Sequence, residues 1–118
     1  MRRLLLLLAF LTGCAAPSEM NSEGLRVGVA EVDIAPPLGY RMAGYYHERK
    51  NTGTKDKLKA KAIVLAQGET KIALVFCDLI GVPASVSTKA RERASSMTGI
   101  PAANISIAAT HSHTGPLY

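Results

Sequence analysis

A strand–helix–strand pattern in the second half of the sequence most constrains the fold. Residues 71–77 are an almost continuous apolar run, which favours a strand buried on both faces and ending at Asp78. Residues 84–98 carry an apolar stripe at helical spacing, and Gly99 suits the left-handed cap of that helix. Residues 104–109 are a second apolar strand candidate. This order predicts a βαβ unit, whose two strands lie parallel in one sheet.

Two further strands and a long loop are predicted upstream of this unit. Alternating apolar residues indicate a strand over residues 25–32, and residues 59–66 are another candidate. Residues 67–70 (Gln-Gly-Glu-Thr) then predict a hairpin turn. Residues 40–57, with two glycines and three tyrosines, are expected to form a long loop, and long loops in compact domains usually carry function or are disordered. The predicted fold class is therefore α/β, with a mixed sheet that contains one βαβ unit.

The first residues have the architecture of a bacterial export signal. Residues 1–3 include two arginines, and residues 4–11 are an apolar run too short to span a bilayer. Residues 11–14 (Leu-Thr-Gly-Cys) resemble a lipobox, and this resemblance implies cleavage after residue 13 and a lipid on Cys14. An ordinary secretory signal with a chance cysteine is the alternative.

The interpretation of the leader divides the chain into three parts. Residues 1–13 are a lipoprotein signal peptide, residues 14–24 are a tether, and residues 25–118 are the globular part. The protein is then exported and lipid-anchored to the bacterial cell envelope rather than cytoplasmic, and Ala15 permits sorting to the outer membrane. Only Cys77 is left as a thiol, so no internal disulfide is expected.

The charge of the chain gives no case for a nucleic-acid partner. The sequence has 14 Lys and Arg against 9 Asp and Glu, a net charge of +5. Removing the two leader arginines leaves 12 against 9, or +3. Aromatic residues are only 5% of the chain, so neither a basic stripe nor a stacking platform is visible.

The candidate chemistry lies in residues 110–116 (Thr-His-Ser-His-Thr-Gly-Pro), directly after the last predicted strand. Ligands in open α/β sheets bind beyond the carboxyl ends of strands, and Asp78 is expected at the same edge. His111 and His113 are separated by one residue, so in an extended chain both point to the same side. Imidazole is the commonest neutral metal ligand, so this pair is a candidate for sharing one metal ion.

A histidine pair alone does not define a metal site. Catalytic zinc takes three protein ligands and keeps one position for water, whereas the only other histidine, His47, lies in a separate loop. Further ligands are therefore expected beyond Tyr118, and the chain is interpreted as a fragment. Two solvent-facing loop histidines are the alternative reading. For Asp78, a turn role competes with a carboxylate that orients a histidine ligand.

Four stretches of the sequence, in order, resemble the neutral/alkaline, non-lysosomal ceramidases. Residues 110–116 resemble the family signature Thr-His-Thr-His-Ser-Gly-Pro. Residues 28–34, with the two prolines shortly after them, resemble its opening strand. Residues 42–45 (Met-Ala-Gly-Tyr) resemble its Met-Gly-Tyr loop, and residues 76–81 resemble its strand ending in Asp-Ile-Gly. The resemblance spans residues 26–116.

The resemblance implies a zinc-dependent amidohydrolase of sphingolipid metabolism. It would cleave the N-acyl amide bond of ceramide-like, amphiphilic lipids into a sphingoid base and a fatty acid. His111 would ligate Zn²⁺, and His113 would lie beside the metal and assist catalysis. The family's other zinc ligands, a histidine, a glutamate and a tyrosine, come later in the chain. Residues 25–118 are thus expected to be the N-terminal fragment of the catalytic domain and inactive alone.

Two other functions stay open at this point. One is a related metal-dependent amidase or esterase that acts on a non-sphingolipid substrate. The other is a non-catalytic, lipid-anchored module that binds a metal or ligand with His111 and His113. A downstream histidine, glutamate and tyrosine would favour the enzyme over the binding module.

Overall fold

A computed structural model describes residues 24–117, so the predicted signal peptide, Cys14 and nearly all of the tether lie outside the described residues. Four strands form one sheet in the order β1-β2-β3-β4: Arg26–Asp33, Lys59–Gln67, Thr70–Cys77 and Ile105–Ala109. The helix α1 (Ala84–Thr98) and a 3-10 turn (Ala102–Asn104) connect β3 to β4. Within the described part of the chain, no helix has the length and hydropathy needed to cross a bilayer.

The first three strands pair antiparallel, β1 with β2 across a long loop and β2 with β3 as a hairpin. Along β1, Asp33 faces Lys59 of β2. Strands β2 and β3 form the predicted hairpin, in which Gln67 faces Thr70 across a two-residue turn. Gly68 in this turn has a φ of 53°, as the favoured hairpin turns require.

The predicted βαβ unit is present, and the α/β class with a mixed sheet is confirmed. Strands β3 and β4 are parallel neighbours, and Cys77 is in register with Ala109. Asp78 and Thr110 therefore leave the sheet side by side. The helix ends where predicted, because Gly99 adopts a φ of 72° and its N–H donates to the Ser95 carbonyl at 2.9 Å.

A small core lies on the face of the sheet that α1 crosses. Ala73, Ile100 and Ile105 are only 7%, 5% and 4% exposed. The partly buried residues packed against them are Val64, Ala94 and Ile107. The cluster joins β2, β3 and β4 to the C-terminal part of the helix, so it holds together the two parallel strands that end at the histidine loop.

One expectation about burial is wrong for the described residues, and the apolar stripe of α1 is largely exposed. Strand β3 is not covered on both faces, since Ile72 is 36% and Phe76 43% exposed. The apolar stripe of α1 is not buried either: Val86 is 50% and Met97 74% exposed, and Ala94 is the stripe residue that packs against the core. The physical reason is that, within residues 24–117, α1 packs on one face of the sheet and contacts it near its C-terminal end.

Residues 34–58 form the predicted long loop, with no regular helix or strand in that range. Asn51 holds it together and is 7% exposed. Its Nδ2 donates to the carbonyls of Pro36 and Pro37 at 2.9 and 3.2 Å, and its Oδ1 accepts from the Gly53 N–H at 3.0 Å. These bonds satisfy a buried amide and give the loop a defined shape.

Candidate metal centre at the carboxyl ends of the parallel strands

The loop after β4 continues the parallel pairing beyond the end of the sheet. The N–H of Thr110 donates to the Cys77 carbonyl, and the N–H of Ser112 donates to the Leu79 carbonyl, both at 2.9 Å. Between them, His111 adopts a φ of 63°, a left-handed conformation that is uncommon outside glycine. The extended chain assumed for this segment is therefore wrong, and a kinked backbone presents the histidines instead.

The two imidazole rings lie against each other despite this kink. The ring centroids of His111 and His113 are 5.0 Å apart with an interplanar angle of 71°, an edge-to-face contact. Both residues are exposed in the described chain. The structure therefore brings together the two histidines that the sequence singled out.

Hydrogen bonds fix the same tautomer in both rings. Nδ1 of His111 lies 2.9 Å from the Ile80 carbonyl oxygen, and Nδ1 of His113 lies 3.1 Å from the Gly44 carbonyl oxygen. A carbonyl oxygen can only accept, so each Nδ1 carries a proton, and in the neutral imidazole each Nε2 keeps its lone pair. Metal-ligating histidines commonly donate their other N–H to a carbonyl or carboxylate. Each ring therefore presents its Nε2 atom as a candidate donor to a metal ion or as a proton acceptor.

Asp78 supports the histidine loop without bonding to either ring. Its Oδ2 accepts the backbone N–H of Lys59 at 2.9 Å, and its Oδ1 accepts the hydroxyl of Thr110 at 3.2 Å. The carboxylate therefore joins the start of β2 to the residue directly before His111. Its influence on the histidines passes through the backbone rather than through a hydrogen bond to an imidazole.

The Met-Ala-Gly-Tyr segment packs directly on the histidine loop. The N–H of Ala43 donates to the Gly115 carbonyl, and the N–H of Leu117 donates to the Arg41 carbonyl, both at 2.9 Å. Ala43 is 2% exposed, and Pro116 is fully buried. Two stretches of family resemblance that lie far apart in sequence are therefore one packed unit in the fold.

Gly44 makes the closest approach to the histidine loop. It has a φ of 92°, and a Cβ added to it would lie 2.6 Å from the Cα of His113. No side chain fits there, and the conformation itself favours glycine. This close approach lets the Gly44 carbonyl reach the ring of His113.

Arg49 is a residue of this site that the sequence did not single out. Its Nη2 donates to the His113 carbonyl at 3.1 Å, and its guanidinium carbon lies 3.7 Å from the centroid of the Tyr45 ring. A lone arginine in a long loop gives no sequence signal of this kind, because the contact depends on how two loops pack.

His47 stays apart from the histidine pair. Its ring lies near that of Tyr45, with 5.8 Å between the two ring centroids. Across residues 24–117, no group of three or more His, Cys, Asp or Glu side chains is placed to hold a metal ion. A metal ion held by His111 would therefore need further ligands from outside the described residues.

Cys77 lies under the site as a buried thiol. Burial raises its pKa above the ordinary value, and the neighbouring Asp78 carboxylate adds to the effect. Because the thiolate is the form that binds metals, the raised pKa disfavours Cys77 as a ligand. It is a small apolar core residue, as expected from its position in the strand.

A cleft of about 530 Å³ opens beside the histidine loop. Thr114 lines it on one side, and most of its remaining lining comes from the long loop between β1 and β2. Arg49 lines this cleft and also contacts His113. Arg49 therefore belongs both to the lining of the cleft and to the contacts of His113.

The fold and the site define an α/β protein with a candidate metal centre at the carboxyl ends of two parallel strands. Among solved structures, the neutral ceramidase from Pseudomonas aeruginosa is similar, with a TM-score of 0.72 and 28% identity over 79% of this chain. A ceramidase complexed with C2 matches at a TM-score of 0.68 and 27% identity, again over 79%. This chain has the fold of a segment of the neutral ceramidases, which confirms the resemblance seen in its sequence.

The match covers a small part of those enzymes. This chain spans 16% of the Pseudomonas aeruginosa protein and 15% of the second ceramidase chain. No protein-family model and no curated protein matches the sequence. The fold and the histidine loop therefore carry the assignment, and the activity of the whole protein is a matter for proposal.

Proposed function

We propose that this chain is part of a zinc-dependent hydrolase that cleaves the N-acyl amide bond of ceramide-like lipids. In this proposal His111 is a zinc ligand, and His113 is a catalytic residue beside the metal. The observation that carries the proposal is the shared Nδ1–H tautomer of the two rings, which leaves both Nε2 atoms available. The ceramidase names of the two similar structures support the substrate class.

The chain's own residues account for the positioning and the proton transfer. Zinc at such a site supplies Lewis-acid polarisation of a carbonyl group and lowers the pKa of water to about 7. The Ile80 carbonyl holds the His111 ring so that Nε2 is the ligating atom. Nε2 of His113 is free to accept a proton from the attacking water and to return it to the leaving nitrogen. Amide hydrolysis needs that second transfer, because an unprotonated amine is a poor leaving group.

The predicted leader belongs to the same proposal. A lipid on Cys14, followed by a tether over residues 14–24, would hold the enzyme at the surface of the bacterial envelope, next to an amphiphilic substrate. Cys14→Ser should move the protein from the membrane fraction to the soluble fraction of the envelope. Retention of this variant on the membrane would contradict the anchor while leaving the histidine site untouched.

The proposed function is tested on the complete gene product with three histidine variants. His111→Ala should lose stoichiometric zinc and hydrolysis of a fluorescent ceramide together. His113→Ala should keep zinc and lose about 10²- to 10⁴-fold in kcat, the usual effect of removing a general acid–base group. His47→Ala is the matched control and should keep both properties, since its ring lies apart from the pair.

The outcomes separate the competing functions. If His111→Ala retains both zinc and the wild-type rate, the site assignment is wrong. If the wild-type protein hydrolyses other N-acyl amides or esters but not ceramide, the substrate class is wrong and the site stands. If it binds zinc through His111 and hydrolyses none of these compounds, it is a binding module.

A further inference from the structure

We infer that Arg49 is a positioning residue for His113, and that the ring of Tyr45 holds Arg49 in place. The inference rests on the proposed catalytic role of His113, but it also predicts a ring tautomer that is measured without turnover. Arg49 contacts His113 at the backbone carbonyl rather than at the imidazole.

Two contacts of the Arg49 guanidinium carry the inference. Its edge donates from Nη2 to the His113 carbonyl oxygen at 3.1 Å. Its face lies over the Tyr45 ring, with 3.7 Å between the guanidinium carbon and the ring centroid. A planar guanidinium can donate in its plane and stack through its face at the same time. Tyr45 therefore fixes the plane in which Arg49 aims its donor.

His113 is consequently held by one loop at two points. The Gly44 carbonyl accepts from the ring at Nδ1, and Arg49 donates to the backbone carbonyl of the same histidine. The loop is closed on itself, because the Met42 N–H donates to the Arg49 carbonyl at 2.8 Å. Loss of the Arg49 side chain removes one of the two points and lets the backbone of His113 turn away from Gly44.

The adjacent Lys50 provides a matched control within the same loop. Its ammonium group lies 3.8 Å from the Glu48 carboxylate, and these side chains are 65% and 54% exposed. Lys50 thus carries the same charge as Arg49, but it forms its ion pair with Glu48 rather than with the histidine loop. Lys50→Ala removes one positive charge near the site and leaves both Arg49 contacts in place.

The first experiment measures steady-state kinetics and zinc content of the complete gene product. Arg49→Ala should lower kcat about tenfold with KM within about twofold, because misplacing a catalytic group affects the chemical step more than binding. Zinc content should be unchanged, and Lys50→Ala should match the wild type. Arg49→Lys should recover part of the rate, and added guanidinium ion should restore rate to Arg49→Ala alone.

The second experiment measures the tautomer of His113 in the zinc-free protein by NMR with histidine-selective ¹⁵N labelling. The wild type should show the proton on Nδ1, since the hydrogen bond of that atom sets the tautomer. Arg49→Ala and Tyr45→Leu should both lose this preference, and the double variant should lose no more than either single one. His47 serves as the internal reference in the wild type and in Arg49→Ala, but not in Tyr45→Leu, because that variant removes the ring that His47 contacts.

These outcomes distinguish the inference from the function on which it rests. If the wild-type protein hydrolyses no N-acyl amide, the proposed function is overturned. A changed His113 tautomer in Arg49→Ala and Tyr45→Leu would still support the positioning role. Unchanged kcat and an unchanged His113 tautomer in Arg49→Ala would overturn the inference. If Arg49→Ala fails to fold, Arg49→Lys and Tyr45→Leu decide, and a wild-type tautomer in both overturns it.

Discussion

The carboxylate of Asp78 accepts a hydrogen bond from the hydroxyl of Thr110 at 3.2 Å, across the two parallel strands that end beside each other. Its other oxygen accepts the Lys59 N–H at 2.9 Å. Because Thr110 directly precedes His111, this carboxylate fixes the point at which the histidine loop leaves the sheet. One side chain thus couples the β2–β3 pair to the candidate metal centre.

Asp78→Asn should weaken both the fold and the site. An asparagine keeps one acceptor oxygen for the Lys59 N–H, and its NH₂ group can donate to the Thr110 hydroxyl, so both contacts become neutral hydrogen bonds, which are weaker than those to a carboxylate. We expect the free energy of unfolding to fall by about 1–2 kcal/mol and zinc affinity by about tenfold, as for residues that support a metal ligand. Denaturant titration of the zinc-free protein and competition with a chelator measure the two effects.

Variants of Thr110 provide the controls for this prediction. Thr110→Ser keeps the hydroxyl and should resemble the wild type, whereas Thr110→Val removes one of the two bonds to Asp78. Wild-type zinc affinity in both Asp78→Asn and Thr110→Val would show that the pair stabilises the sheet edge and has no effect on the histidines.

Gly44→Ala should disrupt the site more than Gly39→Ala. Both glycines have positive φ angles, 92° and 78°, so both substitutions carry a similar backbone cost, about 1–2 kcal/mol. Only at Gly44 would the new Cβ meet His113, with its Cα 2.6 Å away, whereas nothing lies within 4 Å at Gly39. Gly44→Ala should therefore also lower the hydrolysis rate, and Gly39→Ala should not. Equal losses in stability and rate would mean that the contact with His113 is relieved without effect.

The features that could be predicted from the sequence are those determined by residues close together in the chain or by a general rule of connection. The helix bounds were predictable because Pro83 and Gly99 act locally on its two ends. The parallel strands were predictable because a helix links them, and their register then places Asp78 beside Thr110. These features depend on residues close in the chain or on a general rule of connection.

The contacts that orient the histidines were not predictable in this way. Gly44 and His113 are separated by 69 positions, and Arg49 and His113 by 64, so no local pattern links them. The left-handed backbone of His111 was likewise not predicted, because few residues other than glycine adopt a positive φ and no local pattern marks this position. Burial was misjudged for the same reason, since apolar composition does not say which face of a strand is covered.

The thiol of Cys77 should react slowly with alkylating reagents. Burial, and secondly the Asp78 carboxylate, raise its pKa above the ordinary value of 9.0. A thiol with a raised folded-state pKa contributes stability that is fully present below its unfolded-state pKa and is lost as pH rises from that value through the folded-state pKa. At pH 8, iodoacetamide should modify Cys77 far more slowly in the folded than in the urea-unfolded protein, as followed by peptide mass spectrometry. Equal rates in the two states would contradict the buried, protonated thiol.

Ile105→Ala should destabilise the protein far more than Val86→Ala. Ile105 is 4% exposed and packs with Ala73 and Ile100 on the helix-covered face, whereas Val86 is 50% exposed. Truncating the buried isoleucine should lower the free energy of unfolding by about 2–4 kcal/mol. The exposed valine should change it by about 0.5 kcal/mol or less. Denaturant midpoints at constant m-value measure both.

The same pair of variants tests how the core supports the histidine loop. Ile105 begins β4, and the end of β4 delivers Thr110 beside Cys77 through a backbone hydrogen bond of 2.9 Å. A cavity behind the start of this strand should loosen its pairing with β3, so Ile105→Ala should lower zinc affinity under conditions where the protein is still folded. Val86→Ala should leave zinc affinity unchanged. If Ile105→Ala loses stability but binds zinc as tightly as the wild type, the hydrogen bonds of Asp78 and of the Gly44–Arg49 loop are sufficient to hold the histidines.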